Sequence, residues 1–156
     1  MSMPRHPAVA RSLQQWHSMV RAHDLSALPA LVHEQAIFRS PMAHKPYPGR
    51  DAVVFILNTV LGVFENFTYH RELQSDDGLS VVLEFSAEVN GKQLKGIDLV
   101  RFDEEGLVRE FEVMVRPMSG LQALGEEMGW RVAGKLPAFA ASATASDTTS
   151  SPAPRS

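Results

Sequence analysis

The sequence contains no cysteine, which excludes disulfide bonds, thiolate catalysis and zinc sites built on cysteine. It also lacks an excess of basic residues, because 15 Lys and Arg stand against 18 Asp and Glu for a formal net charge of -3. The basic residues form no continuous block, and a surface that follows a phosphate backbone needs one. We therefore expect no nucleic-acid partner.

Long hydrophobic runs are absent as well. The most apolar stretch, residues 52–64, is shorter than the roughly 20 residues of a membrane-spanning helix and is interrupted by Asn58, Thr59 and Gly62. The first twenty residues lack the apolar core and small-residue cleavage site of a signal peptide. These features predict no membrane partner and a soluble, cytoplasmic protein.

What is present suffices for one domain, since 44% of the 156 residues are hydrophobic. We expect a flexible N-terminus over residues 1–7, a single domain over 8–130, and a disordered tail over 131–156, where the composition becomes rich in Ala, Ser, Thr and Pro. The six histidines show no convincing metal-ligand spacing with a carboxylate. Neither a metal nor a cofactor is expected.

Apolar residues at spacings of three and four predict helices, beginning with Val9, Leu13 and Trp16 in the first. The helices are expected over residues 8–23, 25–32, 50–66 and 118–128, the last ended by Gly129. Period-two alternation predicts strands instead. These are expected over residues 35–40, 67–73, 81–89, 94–102 and 107–116, with the last four consecutive and antiparallel. A proline- and glycine-rich loop follows the first strand.

One carboxylate breaks the apolar pattern of these strands. Asp98 shares a strand face with Val100 and Phe102, and pairing of Phe102 with Leu107 across the turn would add Phe111 and Val113 to its surroundings. An unpaired carboxylate on a core face either costs several kcal/mol or stays protonated through a raised pKa. Asp98 is therefore a candidate pocket acid, although a purely structural role stays open.

The other face of the sheet also carries apolar residues, namely Ile97, Leu99, Val108 and Met114. A sheet that is apolar on both faces is usually covered on both. We therefore expect a homodimer formed through this outer face.

Two segments resemble a known family. Residues 97–106, IDLVRFDEEG, are similar to the I-D-V-M-R-F-D-E-x-G strand and turn of ketosteroid isomerases, and residues 36–50, AIFRSPMAHKPYPGR, are similar to their A-x-V-x-D-P loop that ends in G-R. With the order of elements, this resembles the nuclear transport factor 2-like superfamily, in its SnoaL-like and ketosteroid isomerase-like branch. The resemblance implies an α+β cone, with N-terminal helices packed into a curved antiparallel sheet that encloses an apolar pocket.

The resemblance also implies roles for individual residues. Asp98 falls where the isomerases keep a protonated aspartic acid that donates a hydrogen bond to the developing oxyanion. Ser40 stands where they carry the general-base aspartate, and a serine hydroxyl cannot abstract a proton from carbon without a base beside it. Trp16 takes the position of their oxyanion-hole tyrosine, and its indole N–H can donate but has no acidic hydroxyl.

The pocket predicted in this way has one tentative catalytic residue, Asp98, within a larger ligand-binding set. The set comprises Trp16, Phe38, Ser40, Leu57, Leu83, Phe85, Asp98, Val100, Phe111, Val113 and Val115. Trp16 and Ser40 have equally simple structural interpretations, as a core residue of a helix and as a plain strand end.

Two kinds of function fit this pocket. In one, the protein binds a small hydrophobic, carbonyl-containing molecule of steroid or polyketide type and acts as a cofactor-free isomerase or cyclase, with Asp98 as acid or oxyanion donor. In the other, a chain that has lost the general base at Ser40 is a non-catalytic ligand-binding or dimeric accessory protein. The sequence does not decide whether the protein is an enzyme.

Overall fold

The computed structural model describes residues 5–133, which form three α-helices, a short 3₁₀ helix and six β-strands. In chain order these are α1 (Pro7–Ala22), the 3₁₀ helix (Leu28–Leu31), β1 (Val32–Arg39), β2 (Tyr47–Pro48), α2 (Arg50–Val63), β3 (Glu65–Gln74), β4 (Ser80–Val89), β5 (Lys92–Phe102), β6 (Val108–Arg116) and α3 (Met118–Val132).

The strands form one sheet in the order β2-β1-β6-β5-β4-β3. Neighbouring strands are antiparallel except for β1 and β6, which run parallel. The α+β class and the four consecutive antiparallel strands are confirmed. The sheet as a whole is mixed, because β6 pairs in parallel with β1 after α2 and the four strands β2 to β5 have intervened in the chain.

The core lies between the inner face of the sheet and the helices. On β4 the alternating side chains of Val81, Leu83 and Phe85 are buried, and α1 and α2 contribute Val9, Leu13 and Val53. Alternation on a strand and three-to-four spacing on a helix thus bring two apolar surfaces together. Burial of a side chain of this size contributes on the order of 2 kcal/mol.

The turn between β5 and β6 departs from the prediction. Phe102 pairs with Val108 instead of Leu107, because Asp103 and Leu107 close the turn and the Asp103 side chain accepts hydrogen bonds from the N–H groups of Glu105 and Leu107. An irregularity then shifts the register, so that Arg101 faces Glu110. Asp98 nevertheless faces Val113, with Val100 opposite Phe111, which preserves its apolar neighbours.

This irregularity also changes one outer-face assignment. Val108 was expected to point outward, but its side chain is buried in the core because the extra residue reverses the alternation of β6 at its start. Of the other outer-face residues, Ile97 and Leu99 are half-buried, and Met114 is 44% exposed.

Several predicted boundaries were wrong. Helix α2 ends at Val63 instead of residue 66, since Phe64 is extended and its ring packs against Phe67 and Phe85. Helix α3 continues through Gly129 to Val132, and β2 lies in what was expected to be a loop. Helix α1 begins at Pro7, inside the N-terminal segment expected to be flexible. The rest of that segment up to residue 4, and the predicted tail from residue 134, lie outside the described residues.

Ion pairs cover much of the outer face. Glu84 accepts hydrogen bonds from Arg71 on β3 and lies 3.4 Å from Lys95 on β5, and the Arg71 hydrogen bond is the main cause that lowers the pKa of Glu84 to about 2. Glu110 on β6 pairs in the same way with Arg39 and Arg101. The outer face therefore combines charged pairs with the apolar residues Ile97, Leu99 and Met114.

No helix between residues 5 and 133 is long and apolar enough to cross a membrane. The same stretch contains no cluster of three or more His, Asp or Glu side chains that could hold a metal ion.

Candidate functional site

A cavity of about 370 Å³ opens between the helices and the inner face of the sheet. Residues from all three α-helices and from every strand except β4 contribute to its wall, and most of them are apolar. The polar side chains of the wall are few, comprising Trp16, Ser40, Tyr47, Tyr69 and Asp98. Its size and its small number of polar groups are typical of a site for a small apolar ligand.

Asp98 is the sole carboxylate among the described residues of this wall. It sits on β5 opposite Leu83 of β4 and Val113 of β6, and its residue is 6% exposed. The hydroxyl of Tyr69 on β3 donates to Asp98 Oδ2 over 2.7 Å. The other carboxylate oxygen, Oδ1, has no hydrogen-bond partner among residues 5–133 and is not fully enclosed, so a ligand in the cavity can reach it.

A second hydrogen bond extends this contact to α1. The indole Nε1–H of Trp16 donates to the hydroxyl oxygen of Tyr69 over 2.9 Å. An indole N–H is a donor only, so the hydroxyl oxygen of Tyr69 must accept, and the one hydrogen of that hydroxyl is then directed at Asp98. We call this arrangement the Trp16–Tyr69–Asp98 chain.

Burial dominates the electrostatics of the chain. Burial raises the pKa of Asp98 to about 7, against an ordinary value of 3.8, and the hydrogen bond from Tyr69 only partly opposes this. Burial, followed by the nearby Asp98 charge, also raises the pKa of Tyr69 well above 10. Tyr69 therefore stays protonated near neutral pH, whereas Asp98 populates both its neutral and its ionised form.

In the neutral form the Asp98 proton resides on Oδ1, since Oδ2 already accepts from Tyr69. Neutral Asp98 can then donate to a carbonyl oxygen in the cavity, and ionised Asp98 can accept from a hydroxyl. The same atom thus serves both forms of a ligand that interconverts a carbonyl and an enol.

The predicted site residues divide into two groups. Those on the cavity wall are Trp16, Phe38, Ser40, Leu57, Asp98, Phe111 and Val113. The others lie outside it: Leu83 and Val100 line a smaller apolar void, Phe85 is fully buried behind Phe64 and Phe67, and Val115 is half-buried. Leu83, Phe85 and Val100 point inward like the wall residues but sit deeper in the core, and alternation along a strand does not predict this difference in depth.

Ser40 does not resemble a base. Its hydroxyl accepts a hydrogen bond from the backbone N–H of Met42 over 3.0 Å, which stabilises the turn after β1. None of its hydrogen bonds within the described residues comes from a carboxylate or a histidine.

Tyr69 is the functional residue that sequence reasoning missed. The sequence does contain an indication, because Tyr69 alternates with Phe67 on one face of β3. In the structure Tyr69 pairs with the core residue Phe85 on β4. Phe67 and Tyr69 pack edge to face with their ring centroids 4.8 Å apart. A tyrosine on a buried strand face needs a partner for its hydroxyl, and Asp98 is that partner.

Comparison with known proteins defines the class of fold. The model of the SnoaL-like domain family matches residues 13–111, so the chain belongs to that family and, through it, to the nuclear transport factor 2-like superfamily. None of the curated proteins matches this chain.

Solved structures agree with this assignment. A steroid delta-isomerase from Pseudomonas aeruginosa is 61% identical and superposes with a TM-score of 0.83 over 86% of this chain and 98% of its own. A protein with a cystatin-like fold from Silicibacter pomeroyi is 35% identical, with a TM-score of 0.73 over 83% and 87% of the two chains. The epoxide hydrolase/cyclase-like enzyme SalBIII, at 19% identity and a TM-score of 0.58 over 71% and 92%, shares the fold alone.

Proposed function

We propose that the protein binds a small hydrophobic carbonyl compound, of steroid or polyketide type, in the cavity and polarises its carbonyl group with Asp98. The single observation that carries this is the position of a buried acid with a free Oδ1 in an otherwise apolar cavity. The apolar wall supplies affinity through burial, and the acid supplies the one directional contact.

In this proposal neutral Asp98 donates from Oδ1 to the carbonyl oxygen. When a base takes the proton from the carbon beside the carbonyl group, negative charge develops on the carbonyl oxygen and the hydrogen bond from Asp98 strengthens, which lowers the barrier to enolisation. Tyr69 and Trp16 hold the carboxyl group in place from behind. The steroid delta-isomerase that is 61% identical supports isomerisation as the reaction type.

A second function is favoured by one specific observation. Asp98 is the sole carboxylate of the described wall, and Ser40 is engaged with the backbone of Met42. A group that donates to the carbonyl oxygen cannot at the same moment remove a proton from carbon. The alternative is therefore a non-catalytic protein that uses the same cavity and the same acid to hold its ligand.

A matched pair of probes tests the binding role. Acetonaphthone and ethylnaphthalene share an apolar ring system and differ in a carbonyl group, so their affinities isolate the contact with Asp98. We expect the ketone to bind about tenfold more tightly, as one hydrogen bond predicts. Quenching of Trp16 fluorescence in a Trp130→Phe background gives the affinities, because Trp130 is 81% exposed and would contribute its own signal.

Variants of Asp98 then test whether this residue causes the preference for the ketone. Asp98→Leu should bind both probes equally, and Asp98→Asn should keep part of the preference through its amide N–H groups. Equal binding of both probes by the wild-type protein would contradict the proposal.

Incubation with a β,γ-unsaturated steroid ketone, followed by absorbance of the conjugated product, separates the two functions. Turnover that Asp98→Leu abolishes supports the enzyme, and binding without turnover supports the alternative.

We also propose a homodimer through the outer face, supported by Met114, which is 44% exposed beside Ile97 on the neighbouring strand. Met114→Glu would place an unpaired charge in this contact and should convert the dimer to a monomer in sedimentation equilibrium at micromolar concentration. Gln14→Glu adds the same charge on the exposed side of α1, and this variant should remain dimeric. A monomeric wild-type protein would rule out the dimer.

A further inference from the structure

A second concavity of about 590 Å³ lies beside the cavity, between the C-terminal end of α1, the end of α2 and the start of β3. We call it the basic groove, because its polar wall includes His17, Arg21 and His23. The groove and the cavity share five wall residues: Val20, Leu61, Phe64, Phe67 and Tyr69. The groove and the cavity therefore adjoin each other along these residues.

The groove carries positive charge without a carboxylate in its described wall. Arg21 is exposed, and its guanidinium makes a single 3.5 Å hydrogen bond to Ser18 Oγ. His17 binds Glu72, which lies outside the groove wall and also pairs with Arg5. The charge of Glu72 is thus engaged by its own partners, whereas Arg21 has no acidic partner among the described residues.

Arg21 is also not needed to cap its own helix. The carbonyl groups of Val20 and Met19 at the C-terminal end of α1 accept hydrogen bonds from the backbone N–H groups of His23 and Asp24. A cation near a helix C-terminus is favourable but modest in effect when exposed. The guanidinium is therefore available to a ligand.

We infer that the natural ligand is an amphipathic anion, a hydrophobic carbonyl compound with a carboxylate or similar acidic group at its far end. This rests on the proposed function, since the apolar part of the ligand occupies the cavity and its carbonyl group meets Asp98. The acidic end lies in the basic groove, where Arg21 supplies the charge and His23 supplies a further N–H group.

A second pair of probes tests this inference. Acetylnaphthoic acid carries the same ketone as acetonaphthone with an added carboxylate, so comparison of the two isolates the anionic end. We expect the acid to bind about tenfold more tightly to the wild-type protein at low ionic strength, with the difference reduced by salt. Arg21→Gln should remove this advantage and leave acetonaphthone binding unchanged.

The control is Arg11→Gln, which removes an exposed arginine from the same helix at a position outside the groove wall. It lowers the net charge by the same amount and should leave the preference for the acid intact. An equal loss in Arg11→Gln and Arg21→Gln would overturn the inference, because it would reveal a general effect of charge.

The remaining outcomes separate this inference from the proposed function. If acetonaphthone binds with the Asp98-dependent preference but the acid binds no more tightly, the basic groove is no ligand site and the proposed function stands. If the acid binds but Asp98→Leu leaves its affinity unchanged, the anion does not bridge groove and cavity, and the inference is overturned. If neither probe binds, both the inference and the proposed function are overturned.

Discussion

Replacement of Asp98 by asparagine should stabilise the protein at pH 7 relative to wild type, and this advantage should shrink as the pH falls to 4. Burial raises the pKa of Asp98 to about 7 from 3.8, so folding favours its neutral form. The unfolded chain releases this proton first as the pH rises, which weakens the fold between the two pKa values. The amide of the introduced asparagine would have nearly the same shape as the carboxyl group and no charge to desolvate.

The expected gain in the free energy of unfolding is large for a single substitution. A pKa difference of this magnitude corresponds to a free energy on the order of 4 kcal/mol across the interval from pH 4 to pH 7. Urea unfolding of both proteins at several pH values measures the difference between their free energies of unfolding. Other carboxylates contribute equally to both proteins and cancel in this difference. Glu110 is one of them, and its hydrogen bond with Arg39 lowers its pKa, so its contribution has the opposite sign. A difference that is independent of pH, or an asparagine variant that is unfolded at pH 7, would show that Asp98 is an ionised structural residue.

Gly106→Ala should destabilise the fold by about 3 kcal/mol, the sum of a left-handed backbone and a steric clash. Gly106 has φ +83°, and a Cβ atom there would lie 2.6 Å from the carbonyl oxygen of Ala8 and 2.8 Å from Ser12 Oγ. The Ser12 hydroxyl also donates to the Gly106 carbonyl over 2.6 Å. The turn between β5 and β6 is thereby held against α1.

Gly91→Ala is the matched control, since Gly91 has nearly the same φ of +79° and no atom within 4 Å of its Cβ position. Gly91→Ala should lower the free energy of unfolding by only about 1 kcal/mol, because it strains the backbone without a steric clash. Thermal unfolding monitored by circular dichroism compares the two variants. Equal losses would show that the contact with α1 contributes nothing to stability.

The sequence was informative where a pattern has one physical cause. The isolated acid at Asp98 stood out because a carboxylate on an apolar strand face needs a special environment, and the structure shows that face to be buried. Three of the four predicted helices and the four antiparallel strands followed from periodicity in the same way, whereas the helix expected over residues 25–32 was wrong, since only Leu28–Leu31 form a 3₁₀ helix there and Val32 begins β1. The register shift that turns Val108 inward could not be predicted from periodicity. It depends on how the Asp103 side chain closes the turn, which leaves no periodic pattern in the sequence.

The candidate site was predictable only in part. Tyr69 carried a signal in its pairing with the β4 core strand, but its contact with Asp98 joins residues on strands separated by β4, and such a contact requires the curvature of the sheet. The lining residues from α3, such as Leu124 and Met128, depend on where that helix docks. Alternation gives the direction of a side chain and leaves the depth of a cavity undetermined.

The donor-only indole at the start of the Trp16–Tyr69–Asp98 chain has a kinetic consequence. A relay that moves protons needs every member to both accept and donate, and the Trp16 nitrogen cannot accept. The chain therefore cannot conduct a proton from α1 to Asp98, and the cavity is the side from which water reaches the acid directly. A ligand that fills the cavity covers this side of Asp98, so exchange of its proton should be slower in the complex than in the free protein.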